Sequence, residues 1–429
     1  MSTWLDELVA QHSELESPIN FWLWSGLASI SAVMKDQVWL HRQIYNLYPN
    51  IYVLLHAESG LKKGPPVSMA KQLVKAVNNT KIITGRSSIQ GILKELGTAQ
   101  TMPGGKVVNK SVAFICSSEL SSSIVEDKVA TTILTDLYDR QYNVGEWRSL
   151  LKMESFNLKD PTITMLTATN EAHSDDFFTR KDVSGGYFAR TFIIYETKRN
   201  KPNSLTAPLR NPPNYIKSAE YLKELAKLEG PFKPFAMEQR EGEYVYPVMQ
   251  DGREVFYNDV GLLYEQWYQN FVLEVDAQVI KDETGTLNRF PDSVLKVAML
   301  MSLSKRPVLE IDEQSMQQAI ALCEKLVGNI RKTTFGKSKT EDANSTRKTM
   351  LINELMRREP HVITRLQLNK KYWMQGNSSE WDAAVVSLQD SGLVTVESVG
   401  NQVIYKMPDK AFKEMQDYLA GKTGNKEQK

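Results

Sequence analysis

The stretch from Asn50 to Val77 reads NIYVLLHAESGLKKGPPVSMAKQLVKAV and decides the fold of the region around it. It starts as an apolar run typical of a buried strand, passes through a short loop, and ends as an amphipathic helix. Loop N–H groups and a helix N-terminus attract phosphate oxygens, and a lysine adds positive charge. This order is the layout of a phosphate-binding loop. The loop residues expected to face phosphate are Ser59, Gly60, Lys62, Lys63 and Gly64.

The loop departs from the usual consensus. Set against G-x-x-x-x-G-K-[ST], the sequence AESGLKKG matches only at Lys63. Lys62 stands where glycine is expected, and Gly64 stands where a hydroxyl ligand of Mg²⁺ is expected. Pro65 and Pro66 follow in the first helical turn, where a missing N–H is tolerated. A purely structural loop therefore stays an alternative.

Composition bounds the class of protein. A chain of 429 residues suits about two to four domains, and 41% hydrophobic residues supply their cores. No apolar stretch approaches the length of a bilayer span and no basic-then-apolar leader begins the chain, so we expect a cytoplasmic protein without a membrane partner. Two cysteines fit a reducing compartment, and the five histidines show no metal-ligand spacing. A net charge of +1 leaves nucleic-acid binding to local basic patches.

The first 45 residues are expected to be helical, and Asn20 to Met34 is apolar enough to pack against the next domain. Residues 46–200 alternate short apolar runs with helical patterns, which predicts an α/β sheet. The predicted strands are Ile51–His56, Lys81–Thr84, Ser111–Cys116, Pro161–Ala168 and Thr191–Glu196. The predicted helices are Pro66–Val77, Ser87–Leu96 and Ala130–Tyr138.

Beyond residue 200 the predicted organisation changes. Residues 201–255 read as an irregular excursion with one helix, Ile216–Leu228, and residues 256–335 read as a helical block. A polar stretch, Thr334–Ser345, is predicted to be a linker. Residues 346–417 show helices followed by two strands around Gly400-Asn401, a hairpin signal that predicts a winged helix. Residues 418–429 read as a disordered tail.

Two of the predicted strands end in polar residues suited to nucleotide chemistry. SVAFICSSE ends in Glu119, which is placed to act as a general base towards an attacking water, although Ser118 replaces the usual metal-binding aspartate. TITMLTATN ends in Asn170, whose amide suits a sensor of the γ-phosphate or its water. Each strand is also compatible with a purely structural role, in which Asn170 is a turn residue.

The fourth candidate element is GGYFAR, which precedes the last predicted strand and ends in Arg190. An arginine held there can cross a subunit boundary and stabilise the charge of phosphoryl transfer. By itself Arg190 equally suits a surface ion pair. The order of a lysine loop, a glutamate, an asparagine and an arginine along one chain favours a common nucleotide site.

From about Leu47 to Leu303 the chain resembles the P-loop helicase-type ATPases of phages, plasmids and other mobile elements. The order of elements is similar to that of minichromosome-maintenance and superfamily 3 helicases, which are AAA+ ATPases. The resemblance implies an α/β P-loop NTPase core with a helical lid, ATP and Mg²⁺ as cofactors, and a homo-hexameric ring with nucleotide between protomers. Single-stranded or forked DNA is the implied partner, with a separate primase or polymerase beside it.

The resemblance also assigns individual residues. In those families a hairpin between the glutamate strand and the sensor strand projects into the channel and carries a lysine that contacts DNA. The matching positions are Arg148 and Lys152, with Lys159 behind them, although an exposed charged hairpin is an alternative. LNRFPDSVLKVAMLMSL resembles the lid segment, in which an arginine near a helix start touches phosphates, and Arg289 is the matching residue.

The C-terminal unit is the second candidate for DNA contact. Its predicted recognition helix, Ser378–Asp390, is acidic, which is awkward for reading the major groove. Basic residues precede it and suit phosphate contacts instead: Arg357, Arg358, Arg365, Lys370 and Lys371. Contact with a protein is an equal alternative for this unit.

The sequence therefore predicts an ATP-dependent DNA helicase or translocase that replicates a phage or mobile element. Two alternatives stay open. The degenerate loop also suits a nucleotide-binding protein of weak turnover that loads other replication proteins. The winged helix also suits a regulator of double-stranded DNA with the ATPase as its switch.

Overall fold

The computed structural model describes residues 2–42, 44–85, 88–98, 100–101, 107–108, 110–119, 128–139, 145–150, 155–169, 186–202, 209, 212–250, 252–276, 286–334, 339–371, 378–400 and 402–419. The chain divides into two compact units, Met1–Thr333 and Thr334–Lys429.

The first unit contains helices and strands in a mixed α/β order. Its helices are α1 (Trp4–Gln11), α2 (Ile19–Met34), α3 (Gly64–Val77), α4 (Ile89–Gly97), α5 (Lys128–Tyr138), α6 (Tyr215–Leu225), α7 (Asp259–Asp276), α8 (Thr286–Lys305) and α9 (Glu313–Thr334). Its strands are β1 (Val38–Arg42), β2 (Tyr45–Leu47), β3 (Tyr52–His56), β4 (Lys81–Thr84), β5 (Gln100–Thr101), β6 (Val107–Val108), β7 (Val112–Ser117), β8 (Glu146–Leu150), β9 (Ser155–Lys159), β10 (Thr162–Thr169), β11 (Thr191–Tyr195), β12 (Gly230–Pro231), β13 (Ala236–Met237), β14 (Tyr246–Gln250) and β15 (Arg253–Tyr257).

A five-stranded parallel sheet with the order β11-β3-β10-β7-β4 forms the centre of this unit. These are the five strands that the sequence predicts, and each observed end lies within one residue of its predicted position. β10 lies between β3 and β7, so the strand before the lysine loop and the strand before Glu119 are separated by one strand. The carboxyl ends of all five strands meet at one edge of the sheet, which we call the carboxyl edge.

Both faces of the sheet are buried, and successive side chains of a strand lie alternately on one face and on the other. Val53 and Leu55 of β3 belong to one hydrophobic core, whereas Tyr52 and Leu54 belong to another on the opposite face. This is the period-two geometry of a strand, because successive side chains point to opposite sides. Continuous apolar runs of this kind are expected where helices cover both faces of a parallel sheet.

The N-terminal segment is part of the central unit. Thirteen of the sixteen residues of α2 are buried. The helix packs against α3 and against β3, β10 and β11. Ser31 of α2 and Thr164 of β10 join by a buried hydroxyl hydrogen bond of 2.7 Å. The prediction that this apolar helix packs against the following region is confirmed, and α2 is a layer of the α/β core.

Smaller elements surround the central sheet. β5–β6 and β8–β9 form two-stranded antiparallel pairs, and β12-β1-β2 and β13-β15-β14 form three-stranded sheets. Residues 201–255, expected to be irregular, therefore contribute β12, β13, β14, most of β15, and α6. The Asp-Gly pair at 251–252 between β14 and β15 is a hairpin signal that the sequence reading missed. None of the helices described is long and apolar enough to cross a membrane.

The second unit contains α10 (Lys339–Met356), β16 (Val362–Thr364), α11 (Arg365–Lys371), α12 (Ser378–Asp390), β17 (Thr395–Val399), β18 (Gln402–Lys406) and α13 (Asp409–Leu419). The strands form an antiparallel sheet in the order β16-β18-β17. Trp381 and Tyr405 are fully buried in its core. α10 begins at Lys339, so the later part of Thr334–Ser345, the stretch predicted to be a linker, is helical. That stretch is polar on every face, so no apolar stripe marks it as a helix.

Candidate functional site

In the loop between β3 and α3, Lys62 stands where glycine is expected and has a backbone conformation typical of glycine. Gly60 has a φ of +92° and Lys62 a φ of +51°, so both lie in the left-handed region. Glycine enters this region freely, whereas a residue with a side chain does so at a cost of about 1–2 kcal/mol. Lys62 thus adopts, under strain, the backbone conformation that glycine at its position would adopt freely.

Lys63 places its ammonium group inside the loop. It is the N-cap residue of α3, and its Nζ donates hydrogen bonds to the carbonyl oxygens of Ala57 at 2.7 Å and Glu58 at 2.8 Å. These carbonyls are neutral, and a charged phosphate oxygen accepts a stronger hydrogen bond from an ammonium group. Phosphate entering the loop would therefore compete well for Lys63.

The N-terminus of α3 offers fewer donors than a usual phosphate-binding helix. Gly64 is its first residue and carries an N–H, but Pro65 and Pro66 carry none. Ser59 and Gly60 of the loop are exposed. The remaining donors are the N–H groups of the loop and of Gly64, which suffice for an anion but form a smaller set.

Glu119 lies beyond the end of β7 at the same carboxyl edge as the loop, and it is exposed. Ser117 closes the turn before it, because its Oγ donates to the Glu119 carbonyl at 2.8 Å and accepts from the Glu119 N–H at 3.4 Å. In the sheet register Thr169 pairs with His56 and Thr167 with Ser117. The ends of β3 and β7 therefore lie about 10 Å apart, two strand spacings, which leaves room for a triphosphate between them.

Asn170, the predicted sensor, lies outside the described residues. The residue before it, Thr169, is the last of β10 and is buried between the two strand ends.

Arg190 lies at the opposite edge of the sheet. It precedes β11, so the five residues of that strand, about 16 Å, separate it from the carboxyl edge. Its side chain is 8% exposed. Nε donates to Asp139 Oδ2 at 3.0 Å, Nη2 donates to the same oxygen, and Nη1 donates to the Gly186 carbonyl at 3.0 Å. The ion pair left open by the sequence is present, and it is buried.

Arg289 lies beside Arg190. Its Nη1 is 3.4 Å from Asp139 Oδ1 and 3.5 Å from Oδ2, and its side chain is 41% exposed. Asp139 therefore contacts two arginines at the edge of the sheet opposite to Lys63. Within one chain the predicted residues do not converge on a single triphosphate, and Arg190 and Arg289 would reach a nucleotide only if a second chain presented one.

A buried lysine completes this opposite edge. Lys296 of α8 is 1% exposed, and its Nζ donates to the carbonyl oxygen and to Oδ1 of Asn50 at 3.0 and 2.9 Å. The ammonium group also lies 3.9 Å from the centre of the Tyr138 ring. Burial lowers the pKa of Lys296 to about 7, an effect that Asp139 and Asp292 oppose and that Arg190 and Arg289 reinforce. Lys296 therefore connects α8 to Asn50, two residues before β3 begins.

Stability is expected to increase with pH because of Lys296. Its pKa is about 7 in the folded chain and 10.5 ordinarily, so at Lys296 the unfolded chain holds more protons between these values. The contribution of Lys296 to the free energy of unfolding therefore rises as pH increases from 7 to 10. Lys296→Met should remove several kcal/mol of that rise, at about 1.4 kcal/mol per pKa unit. Chemical denaturation across this range measures it. Leu295→Met, on the same helix, should keep the slope of the unaltered chain, and an unchanged slope in Lys296→Met would contradict the assignment.

Two antiparallel strands, β8 and β9, lie where the sequence predicts a hairpin that contacts DNA. Its base is fixed beside the sheet, where the Ser111 N–H donates to the Lys159 carbonyl at 2.8 Å. Arg148 on β8 is 70% exposed and pairs with Glu146 at 2.7 Å. Such surface pairs contribute little, so the Arg148 guanidinium is available to a phosphate. Lys152 lies outside the described residues.

Three of the five basic residues predicted to contact phosphates in the second unit, Arg358, Arg365 and Lys371, pair with carboxylates. Arg365 donates to Asp382 at 2.6 Å, and Lys371 donates to Glu354 at 2.7 Å. Glu354 is 3% exposed and also accepts from Arg358 at 2.8 Å. Lys370 is exposed. Because α12 itself carries no lysine or arginine, the face expected to enter a groove offers no positive charge.

ATP and Mg²⁺ fit the carboxyl edge unequally. The loop and Lys63 suit the phosphates of ATP. Among the residues described, no group of three or more histidine, cysteine, aspartate or glutamate side chains is placed to hold a metal ion. Mg²⁺ often binds through substrate phosphates with only one or two carboxylates, so Glu119 is the residue that would contact it here.

Sequence reasoning missed Asp139 and Lys296. A single lysine inside the apolar run SVLKVAMLM was the available signal for Lys296. Asp139 follows a helix end, an ordinary place for a solvated carboxylate, so its burial against Arg190 depends on contacts between distant parts of the chain.

Comparisons of the chain with models of known protein families and with curated protein sequences returned no match.

Proposed function

We propose that the chain is a P-loop ATPase of the AAA+ type that acts on DNA as a ring, as a helicase or translocase of a phage or other mobile element. The observation that carries this proposal is the placement of Lys63 and Glu119 at one edge of a parallel sheet, on either side of β10. Counted along the chain, the strands lie in the order fifth, first, fourth, third, second. Fold alone does not establish function, so the proposal depends on the residues at that edge.

In this proposal Lys63 holds the β- and γ-phosphates and Glu119 accepts a proton from water. The water oxygen attacks the γ-phosphorus, the bond to the β-phosphate oxygen breaks, and ADP and phosphate result. Asn170 orients the water. Mg²⁺, when bound, neutralises charge on the phosphates, and the chain brings Glu119 towards it.

The opposite edge supports a ring. Arg190 and Arg289 are too far from their own loop to touch its nucleotide, but a ring places one protomer's opposite edge against the next protomer's carboxyl edge. Heterologous contacts that close in this way give cyclic assemblies, and a hexamer is proposed here. The β8–β9 hairpin would then carry Arg148 and Lys152 to DNA.

The second candidate function is that of a nucleotide-dependent loader that hydrolyses ATP only slowly. Gly64 has no hydroxyl, Ser118 has no carboxylate, and Pro65 and Pro66 have no N–H. These four positions favour binding over rapid hydrolysis. For the second unit, the paired Arg365 and Lys371 favour contact with a partner protein over direct reading of double-stranded DNA.

Glu119→Gln tests the proposal. ATP hydrolysis should fall about 10²–10⁴-fold, because the amide cannot accept the proton, while affinity for ATP stays within a few fold. Steady-state phosphate release, with and without single-stranded DNA, measures turnover, and calorimetric titration measures binding. Glu58→Gln, an exposed glutamate of the loop, is the matched control and should keep turnover.

Three results would change the conclusion. Binding of ATP by the unaltered chain without turnover that DNA stimulates would favour the loader. Absence of ATP binding at millimolar concentration would end the proposal. Electron microscopy with ATP and DNA should show rings, and a monomer under those conditions would contradict the ring.

A further inference from the structure

The strained conformation of Lys62 is held from outside the loop. A residue with a side chain keeps a positive φ only where its surroundings fix it there. Ser17 provides such a contact, because its Oγ donates a hydrogen bond of 2.6 Å to the Lys62 carbonyl oxygen. Ser17 is 2% exposed and belongs to the connection between α1 and α2.

The connection that carries Ser17 is itself braced. The Asn200 side chain, in the segment that follows β11, donates to the carbonyl oxygens of Ser13 at 2.7 Å and Leu15 at 3.1 Å. The Asn200 N–H donates to the Glu16 carbonyl at 3.0 Å. The residue after Ser17 is Pro18, which restricts Ser17 to extended backbone conformations. Ser17 is thus a rigid donor beside the loop.

The planar peptide bond links this contact to the phosphate site. In a trans peptide the carbonyl oxygen and the following N–H point in opposite directions. Since the Lys62 carbonyl is directed at Ser17, the Lys63 N–H is directed away from Ser17, towards the side of the loop where α3 begins. The hydrogen bond from Ser17 therefore fixes the direction of a backbone donor at the start of the helix.

We infer that Ser17 is a positioning residue for the phosphate loop: its hydroxyl holds Lys62 in the left-handed conformation that glycine would adopt unaided, and so keeps the Lys63 N–H aimed at a bound phosphate. The inference deepens the proposed function and rests on it. Ser17, 45 positions away in the sequence, then stabilises the conformation that a glycine at position 62 would adopt without help.

A double-mutant cycle tests this role by calorimetric titration of the full chain with ADP and with inorganic pyrophosphate. Ser17→Ala should weaken both ligands about 5- to 10-fold, as expected for one lost hydrogen bond. Lys62→Gly is the second background, and its own affinity, which also reflects the lost ammonium group, is the reference there. In that background Ser17→Ala should cost less than about 2-fold, because glycine adopts the conformation without help. Ser13→Ala is the control, since its Oγ bonds to the Ala10 carbonyl within its own turn at 2.8 Å.

Hydrogen exchange supplies a readout that is independent of any ligand. Ser17→Ala should speed exchange of the backbone amides of residues 60–64, and Ser13→Ala should not. An equal loss of affinity in both backgrounds, or no loss in Ser17→Ala, would overturn this inference alone. An unaltered chain that binds neither ADP nor pyrophosphate would overturn the proposed function together with this inference.

Discussion

Turnover of ATP is expected to fall roughly 10³–10⁵-fold in Arg190→Ala if that arginine stabilises the charge on a neighbouring protomer's nucleotide. The same change should also destabilise the chain by about 3–5 kcal/mol, because it removes the guanidinium group that donates hydrogen bonds to the buried Asp139 carboxylate. Loss of activity by itself would therefore not separate catalysis from folding.

The double variant Asp139→Ala/Arg190→Ala makes that separation. Removing both charges should restore much of the lost stability, as measured by thermal denaturation, while turnover stays low. Arg289→Ala is the companion variant, and it should lower turnover with little effect on stability, since its side chain is 41% exposed. Recovery of turnover in the double variant would show that Arg190 only neutralises Asp139.

Lys63→Met is expected to weaken binding of ATP about 10- to 100-fold, because hydrogen bonds to charged groups contribute about 1.5–3 kcal/mol each. Lys62→Met is the matched control, since it removes a neighbouring lysine of the same loop whose side chain is exposed, and it should change affinity only a few fold. Equal effects of the two substitutions would mean that only the general charge of the loop matters.

Mixing the two defective proteins tests whether they act on one site across a boundary. A Lys63→Met chain keeps its arginines, and an Arg190→Ala/Asp139→Ala chain keeps its loop. In a random ring about a quarter of the interfaces would combine an intact loop with an intact arginine, so turnover should reappear on mixing. If the mixture hydrolyses ATP no faster than the sum of the two proteins measured separately, action in trans is excluded.

The strands and most helices could be predicted from the sequence because their signals are local. Alternation along Tyr52–His56 and amphipathic spacing along Gly64–Val77 are properties of a few neighbouring residues. That Lys63 and Glu119 lie at the same edge of the sheet could be predicted too, since parallel strands bring their carboxyl ends together. Residues 201–255 were harder, because short strands in polar surroundings give little periodicity.

The contacts of the charged groups could not be predicted in the same way. Arg190 meets Asp139 across 51 positions of sequence, and Lys296 meets Asn50 across 246. Neither pair has a spacing that a helix or strand would repeat. Whether such a side chain faces water, a neighbour or a buried carboxylate depends on the packing of distant elements, so the sequence left open the ion pair that the structure contains.

The burial of α2 matters for anyone who wants to divide this chain. A fragment that starts at residue 46 would remove α2 from the face of the sheet that it shares with α3, and it would uncover Phe192, whose ring centre lies 4.9 Å from that of Trp24. Each large apolar side chain that is uncovered in this way lowers the free energy of unfolding by about 1.5–3 kcal/mol, so such a fragment should aggregate rather than fold. Residues 1–45 therefore belong to the core of the first unit and should be kept in any fragment of it.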